Sequence, residues 1–206
     1  MTPKQRSKEE RVNQIIEAAL HCYTQNGYVN TTIDDIAAAC SLSKGSIYWY
    51  FKTKDDILIQ AIQQFTRQFD RELTKILDEK NSQSQKITDG INLFLTFQEQ
   101  NTGMFNLFIE FWAQSKDRAE VKTYWNEMLN TFKNGLMTIV QNGIQNKEFA
   151  PIEIEPFVWG LMATLDGLTA YAAIVDHLDL RKIIQVYREV LLRGLHADGN
   201  TMEKQA

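Results

Sequence analysis

The chain has 206 residues, 44% of them hydrophobic and 23% charged, and a formal net charge of −4. That length and apolar content can bury a substantial core, and the balance of charge excludes a uniformly basic coat for nucleic acid. Only ten glycines and three prolines punctuate it, and no long run alternates apolar with polar residues, so an all-α fold is expected rather than a sheet.

The start, MTPKQRSKEER, has no apolar core of a signal peptide, so the chain is expected to stay in the cytoplasm. Its basic residues Lys4, Arg6 and Lys8 could instead form a flexible arm on DNA, or simply be solvated. From Arg11 to Gly27 the apolar positions Val12, Ile15, Ile16, Ala19, Leu20 and Tyr23 recur at helical spacing, and Asn26-Gly27 closes the pattern. A second, short helix begins after Thr32, which can cap it with Asp35 as reciprocal partner, and its face is Ile33, Ile36, Ala37 and Cys40. Ser41-Leu42-Ser43 interrupts it, and Ser43 can cap a third helix from about Lys44. On that helix Ile47 and Phe51 share one face, while Gly45, Ser46, Tyr48 and Trp49 point largely elsewhere.

Two short helices around a tight turn, the second with aromatics that have no obvious core to fill, suit a helix-turn-helix DNA reader. In a major groove Gly45 would permit close backbone approach, Tyr48 or Ser46 would meet base edges or a thymine methyl, and Trp49, Tyr50, Lys52 and Lys54 would grip phosphates. The alternative is that Tyr48 to Phe51 is the aromatic core of a small helical domain. Residues 1 to 54 carry seven Lys/Arg against five Asp/Glu, and the remainder fifteen against twenty-one, an asymmetry that fits a DNA-reading end on an acidic body.

Thr31 to Leu58, with Gly45-Ser46-Ile47-Tyr48-Trp49-Tyr50-Phe51-Lys52-Thr53-Lys54 at its centre, resembles the DNA-binding signature of TetR-type transcriptional regulators, and Arg11 to Gly27 resembles that family's first helix. The resemblance implies DNA contacts from Thr31 and Thr32 at the start of the second helix, from Lys44 to Tyr50 on the recognition helix, and from Lys54. Two positions depart from the family pattern. Ser41 stands where a glycine is frequent, which would cost roughly 1–2 kcal/mol if the turn is left-handed there. Tyr50 stands where a histidine is frequent, so no pH-sensitive phosphate contact is expected from it.

Thr53, with Asp56 three residues on, starts a helix of about six turns carrying Leu58, Ile62, Phe65, Phe69, Leu73 and Ile76. After a polar loop at residues 81–85 another helix runs through Ile87, Ile91, Phe94, Leu95 and Gln98, and Gly103 is expected to separate it from the next. Met104 to Trp112 is apolar nearly all round, as for a short helix buried centrally. A long helix follows through Val121, Trp125, Met128, Phe132, Leu136, Ile139, Val140 and Ile144, and Pro151 and Pro156 mark the next boundary. The apolar stretch from Phe157 to Val175 holds Asp166 at its middle, too costly for a membrane span, and its Gly160, Thr164, Gly167 and Ala170 form a narrow face for close helix approach. The last helix, capped by Asp179, carries Leu180 to Leu195; with its predecessor it is expected to form a homodimer interface over residues 156–195, which the TetR resemblance also implies, or to finish the subunit core.

Phe94, Phe97, Phe108, Trp112, Trp125, Phe132 and Trp159 fall on helices expected to converge, and could line a cavity for an apolar or aromatic effector or pack solidly. Glu110 and Asp166 are carboxylates within the most apolar helices, where either could meet a ligand donor or a packing partner. Cys22 and Cys40 have no metal or redox spacing, and His21, His177 and His196 are isolated, so neither a metal site, a cofactor nor catalysis is expected. The expected organisation is a three-helix helix-turn-helix domain over 1–53 and a helical effector and dimerisation bundle over 54–206. The expected function is a ligand-responsive regulator, a repressor on a palindromic double-stranded DNA operator. The alternatives are a DNA-binding regulator without small-molecule input, and a helical-bundle enzyme.

Overall fold

The computed structural model describes residues 7–113 and 118–196. Most helix starts are set by short polar side chains that satisfy otherwise free backbone N–H groups. Ser7 and Glu10 form a reciprocal capping box on α1 (Lys8–Asn26), and Thr32 and Asp35 form another on α2 (Ile33–Ala39). Ser43 caps α3 (Lys44–Tyr50). At α4 (Lys54–Asp78) the Thr53 hydroxyl accepts from the Asp56 amide at 3.1 Å, and the Asp56 carboxylate accepts from the amides of Lys52 and Thr53. Ser82 caps α5 (Gln83–Gln100), which is followed by α6 (Thr102–Ala113), α7 (Ala119–Gln145), α8 (Ile154–Ala172) and α9 (Leu180–Leu195), the last capped by Asp179. Among the described residues there is no strand, only an isolated antiparallel bridge between Phe149 and His196.

The chain is all-α and forms two compact units, residues 1–68 with 106–124, and residues 69–105 with 125–206. The expected division after residue 53 falls at the junction of α3 and α4, whereas compactness divides α4, α6 and α7 between the units. In the first unit Ile15, Ile16 and Tyr23 of α1, Ile36 of α2, Ile47 of α3 and Leu58 and Ile62 of α4 are buried. Each such aliphatic side chain contributes about 1.5–3 kcal/mol by leaving water. Cys22 and Cys40 are buried free thiols whose pKa values burial raises, so both are poor nucleophiles.

The second unit is built on Ile87, Ile91 and Leu95 of α5, Ile139 of α7, Leu161 of α8 and Ile184 and Leu195 of α9, with Phe149 from the α7–α8 connection set among them. Phe149 is only 1% exposed, and its ring occupies the space that a side chain at Gly143 would need.

Several boundaries differ from expectation. The first helix begins three residues before Arg11, at Lys8. Gly103 does not break the chain but lies in the first turn of α6, and the break is at Asn101. Pro156 falls inside the first turn of α8, where a missing N–H costs no helical bond. Helix α6 is not buried all round: Leu107 and Phe111 are buried, while Trp112 is 51% exposed. No described helix is long and apolar enough to cross a membrane.

Candidate functional site

The turn between α2 and α3 is held by backbone bonds from the amide of Ser41 to the carbonyl of Ala38 and from that of Leu42 to Ala37. Ser41 has φ of 54°, the left-handed conformation that glycine adopts without strain, so the chain carries the expected steric cost at this corner. Ile47 is fully buried and Phe51 nearly so, which fixes the rotation of α3. The opposite face is left outward: Tyr48 is 49% exposed and Trp49 71%, with Trp49 edge-on to Tyr50 at 4.6 Å between ring centres. Tyr48 and Trp49 therefore do not fill a core, and the small-aromatic-core alternative fails for them.

Lys44 and Gly45 are also exposed. A Cβ at Gly45 would meet nothing closer than the Ser43 hydroxyl at 3.9 Å, so nothing inside the chain requires glycine there. Lys44 pairs with Asp34 at 2.7 Å on an open surface, and this bond raises its pKa; exposed pairs of this kind are weak enough to exchange for a phosphate. Thr32 is exposed, although its hydroxyl serves the α2 cap through Asp35, whose pKa that bond lowers.

Two residues expected to contact DNA are used otherwise. Thr31 is 1% exposed, and its hydroxyl donates to the carbonyls of Gly27 at 2.8 Å and Cys22 at 3.2 Å, tying the start of α2 to the end of α1. Lys54 donates from Nζ to the carbonyls of Tyr28 (2.8 Å), Val29 (3.0 Å) and Thr31 (2.9 Å), which occupies all three of its N–H groups. Burial, and Arg118 nearby, push its pKa down. Lys4 and Arg6 lie outside the described residues, and Lys8 sits in the first turn of α1.

Of the residues expected to line an effector cavity, Phe108 and Trp112 belong to the first unit and the others to the second. Within the second unit Phe69 of α4 meets Phe97 of α5 at 5.4 Å and Phe132 of α7 at 5.6 Å, an aromatic cluster drawn from three helices, and Phe94 meets Phe105 at 5.7 Å. Phe69 was not among the expected lining residues, although its place in the α4 stripe signalled an inward side chain. Trp125 is buried, as is Gln98 on α5. Phe108 packs on Phe65 in the first unit at 5.4 Å, and Trp112 is half exposed. Trp159 is 40% exposed on α8, with Lys133 over its ring at 5.4 Å and Lys133 paired to Glu155. Asp166, part-buried, has no hydrogen-bond or ion-pair partner among the described residues, and burial alone raises its pKa to about 6. No group of three or more His, Cys, Asp or Glu among the described residues could hold a metal.

Residues 15–61 match the family model for bacterial regulatory proteins of the tetR family, and residues 83–196 match that for the C-terminal part of BetI-type transcriptional repressors. The chain belongs to the TetR family of transcriptional regulators. It is 27% identical over 194 residues to the fatty acid metabolism regulator protein of Bacillus subtilis, spanning 93% of this chain and 98% of that one. The fold is similar to that of the Bacillus subtilis regulator FadR in complex with stearoyl-CoA, with a TM-score of 0.79 and 26% identity over 89% of this chain and 99% of that one. It is also similar to the fatty acid degradation regulator FadR of Bacillus halodurans, with a TM-score of 0.76 and 21% identity over 92% of this chain and 97% of that one. As a TetR-family member the chain is a DNA-binding transcriptional regulator, with α2 and α3 as its helix-turn-helix.

Proposed function

We propose that this regulator is a repressor that a long-chain acyl ligand, of the class of an acyl thioester, releases from a palindromic operator. The exposed face of α3, with Gly45, Tyr48 and Trp49 outward and nothing inside the chain that requires glycine at position 45, carries the DNA half of this reading. The ligand half is supported by the phenyl cluster of Phe69, Phe97 and Phe132 in the second unit, which offers apolar surface to a chain, and by the relatives that regulate fatty acid metabolism. Trp112 and Trp159 are 51% and 40% exposed and are not part of the phenyl cluster on which this reading rests.

A palindrome needs two readers. Helices α8 and α9 leave Tyr171, Val186 and Val190 more than half exposed, and a Cβ at Gly160, Gly167 or Gly194 would meet nothing within 4 Å. A second copy of this face would cover them and form the homodimer; Val190→Glu is expected to yield monomers by light scattering, and a dimer of unchanged affinity would contradict the assignment. Dimerisation would set two copies of α3 about 34–36 Å apart, or a multiple, to meet successive major grooves. Helix α4 is continuous from Lys54 to Asp78 and contributes to both units, so ligand binding near Phe69 can bias the reader through it. A coupling of about 1–3 kcal/mol gives roughly 5- to 150-fold loss of operator affinity.

The test is to select bound duplexes from random DNA with the purified protein and then titrate stearoyl-CoA into the complex. Release at micromolar ligand supports the reading. Binding to the selected operator that no acyl-CoA weakens would leave a DNA-binding regulator without this input and refute the ligand half.

A further inference from the structure

The segment between α1 and α2 is gripped from both sides by charged side chains that lie far from it in sequence. After Gly27, whose φ of 78° turns the chain out of α1, the amides of Tyr28 and Val29 both point at Glu110 of α6. Its Oε2 accepts from Tyr28 at 3.1 Å and its Oε1 from Val29 at 3.1 Å. The carbonyls of the same two residues, with that of Thr31, are taken by the Lys54 ammonium, which also stands 4.5 Å from the centre of the Tyr28 ring. Phe111, one residue after Glu110, meets that ring edge-on at 5.3 Å. Arg118, the residue before α7, lies over Phe111 and pairs with Asp55, the neighbour of Lys54.

The consequence reaches the reader. Thr31 fastens to Cys22 and Gly27, Thr32 caps α2, and α2 packs on α3, so the path of residues 28–31 sets where the helix-turn-helix stands on α1. Glu110 lies on α6 and belongs to none of the exposed residues of α3. Its two bonds are charge-assisted, the strong class of hydrogen bond, and no neutral side chain replaces both.

We propose that Glu110 is a positioning residue for DNA reading: it holds residues 28–31, and through them α2 and α3, in the orientation that operator binding requires. This rests on α3 being the reader but not on the identity of any effector. The signs separate positioning from simple charge. Deleting an acid from a DNA-binding unit should tighten binding, because one repulsive charge is lost. Loss of a positioning contact should weaken it.

The experiment compares the full-length wild type with Glu110→Gln, which keeps the shape but offers one acceptor oxygen in place of two, and with Glu17→Gln, an exposed acid of α1, as the charge control. Binding is measured on the operator selected by the wild type, at a temperature where circular dichroism shows each variant folded, and amide exchange is read at Tyr28 and Val29. Glu110→Gln is expected to bind roughly tenfold more weakly, with an unchanged dependence on salt and faster exchange at both amides. Glu17→Gln is expected to bind as well as the wild type or slightly better. Glu110→Gln binding as tightly as the wild type, or more tightly, overturns the proposal, as does unchanged exchange at the two amides. A wild type that selects no duplex at all would instead defeat the reading of α3.

Discussion

Replacing Asp166 with Asn should stabilise the protein at neutral pH and do little at pH 4. The carboxylate sits in the middle of α8, part-buried and without a partner among the described residues, and burial raises its pKa from 3.8 to about 6. A raised pKa means that folding favours the neutral acid, so the contribution is fully present below about pH 4 and is lost as pH climbs through about 6. At about 1.4 kcal/mol per pH unit, the difference amounts to about 3 kcal/mol, and the water that still reaches the side chain reduces the expected cost at pH 7 to about 2 kcal/mol. Asn never ionises and escapes that cost. Urea unfolding of both proteins at pH 4, 5, 6 and 7, at one fixed protein concentration, should show little difference at pH 4 and a gap in favour of Asp166→Asn that opens between about pH 4 and 6 and changes little from pH 6 to 7. A gap of equal size at pH 4 and pH 7, or none at pH 7, would refute burial as the cause. An acid that costs stability in this way suits a site where a hydrogen-bond donor arrives with a ligand or a second subunit.

Gly143→Ala should destabilise, against the ordinary gain of about 1 kcal/mol for Ala over Gly in a helix. The new Cβ would clash with ring atoms of the buried Phe149, and overpacking of that kind costs about 1–3 kcal/mol, so a higher urea midpoint would contradict the packing. Ser41→Gly should raise the melting temperature by a few degrees, because it relieves about 1 kcal/mol of left-handed strain at φ 54°, and an unchanged or lower value would contradict the strain. Lys54→Met should cost about 1–3 kcal/mol of stability through three lost carbonyl bonds and leave the salt dependence of operator binding unchanged. A slope reduced by about one would return Lys54 to the phosphates.

What was legible in the chain was local. The caps at Thr32, Ser43, Thr53 and Asp179 could be read because a cap and the amide it serves lie two or three residues apart, and all four are present. Ser7-x-x-Glu10 carries the same signal, masked by the run of charged residues around it. The left-handed corner at Ser41 and the outward aromatics of α3 followed from spacing around Ile47 and Phe51. Composition misled where it had to stand for geometry: the apolar run of α6 did not say that Trp112 faces solvent, and a cluster of aromatics did not say that Phe108 and Phe132 would fall in different units. By sequence Glu110 reads as a carboxylate for a ligand or a packing partner and Lys54 as a phosphate contact, not as the two sides of one clasp. Their partners lie 82 and 26 residues away in the chain, and no local pattern records a contact at that range.

The reading of DNA by α3 is tested most directly by base preference and salt dependence across one variant. On the operator selected by the wild type, Tyr48→Ala should lose affinity and discriminate less between that operator and scrambled DNA, while its salt slope stays the same, because an exposed neutral side chain reads bases and releases no counterions. Undiminished affinity and preference in Tyr48→Ala, with the protein folded, would contradict it.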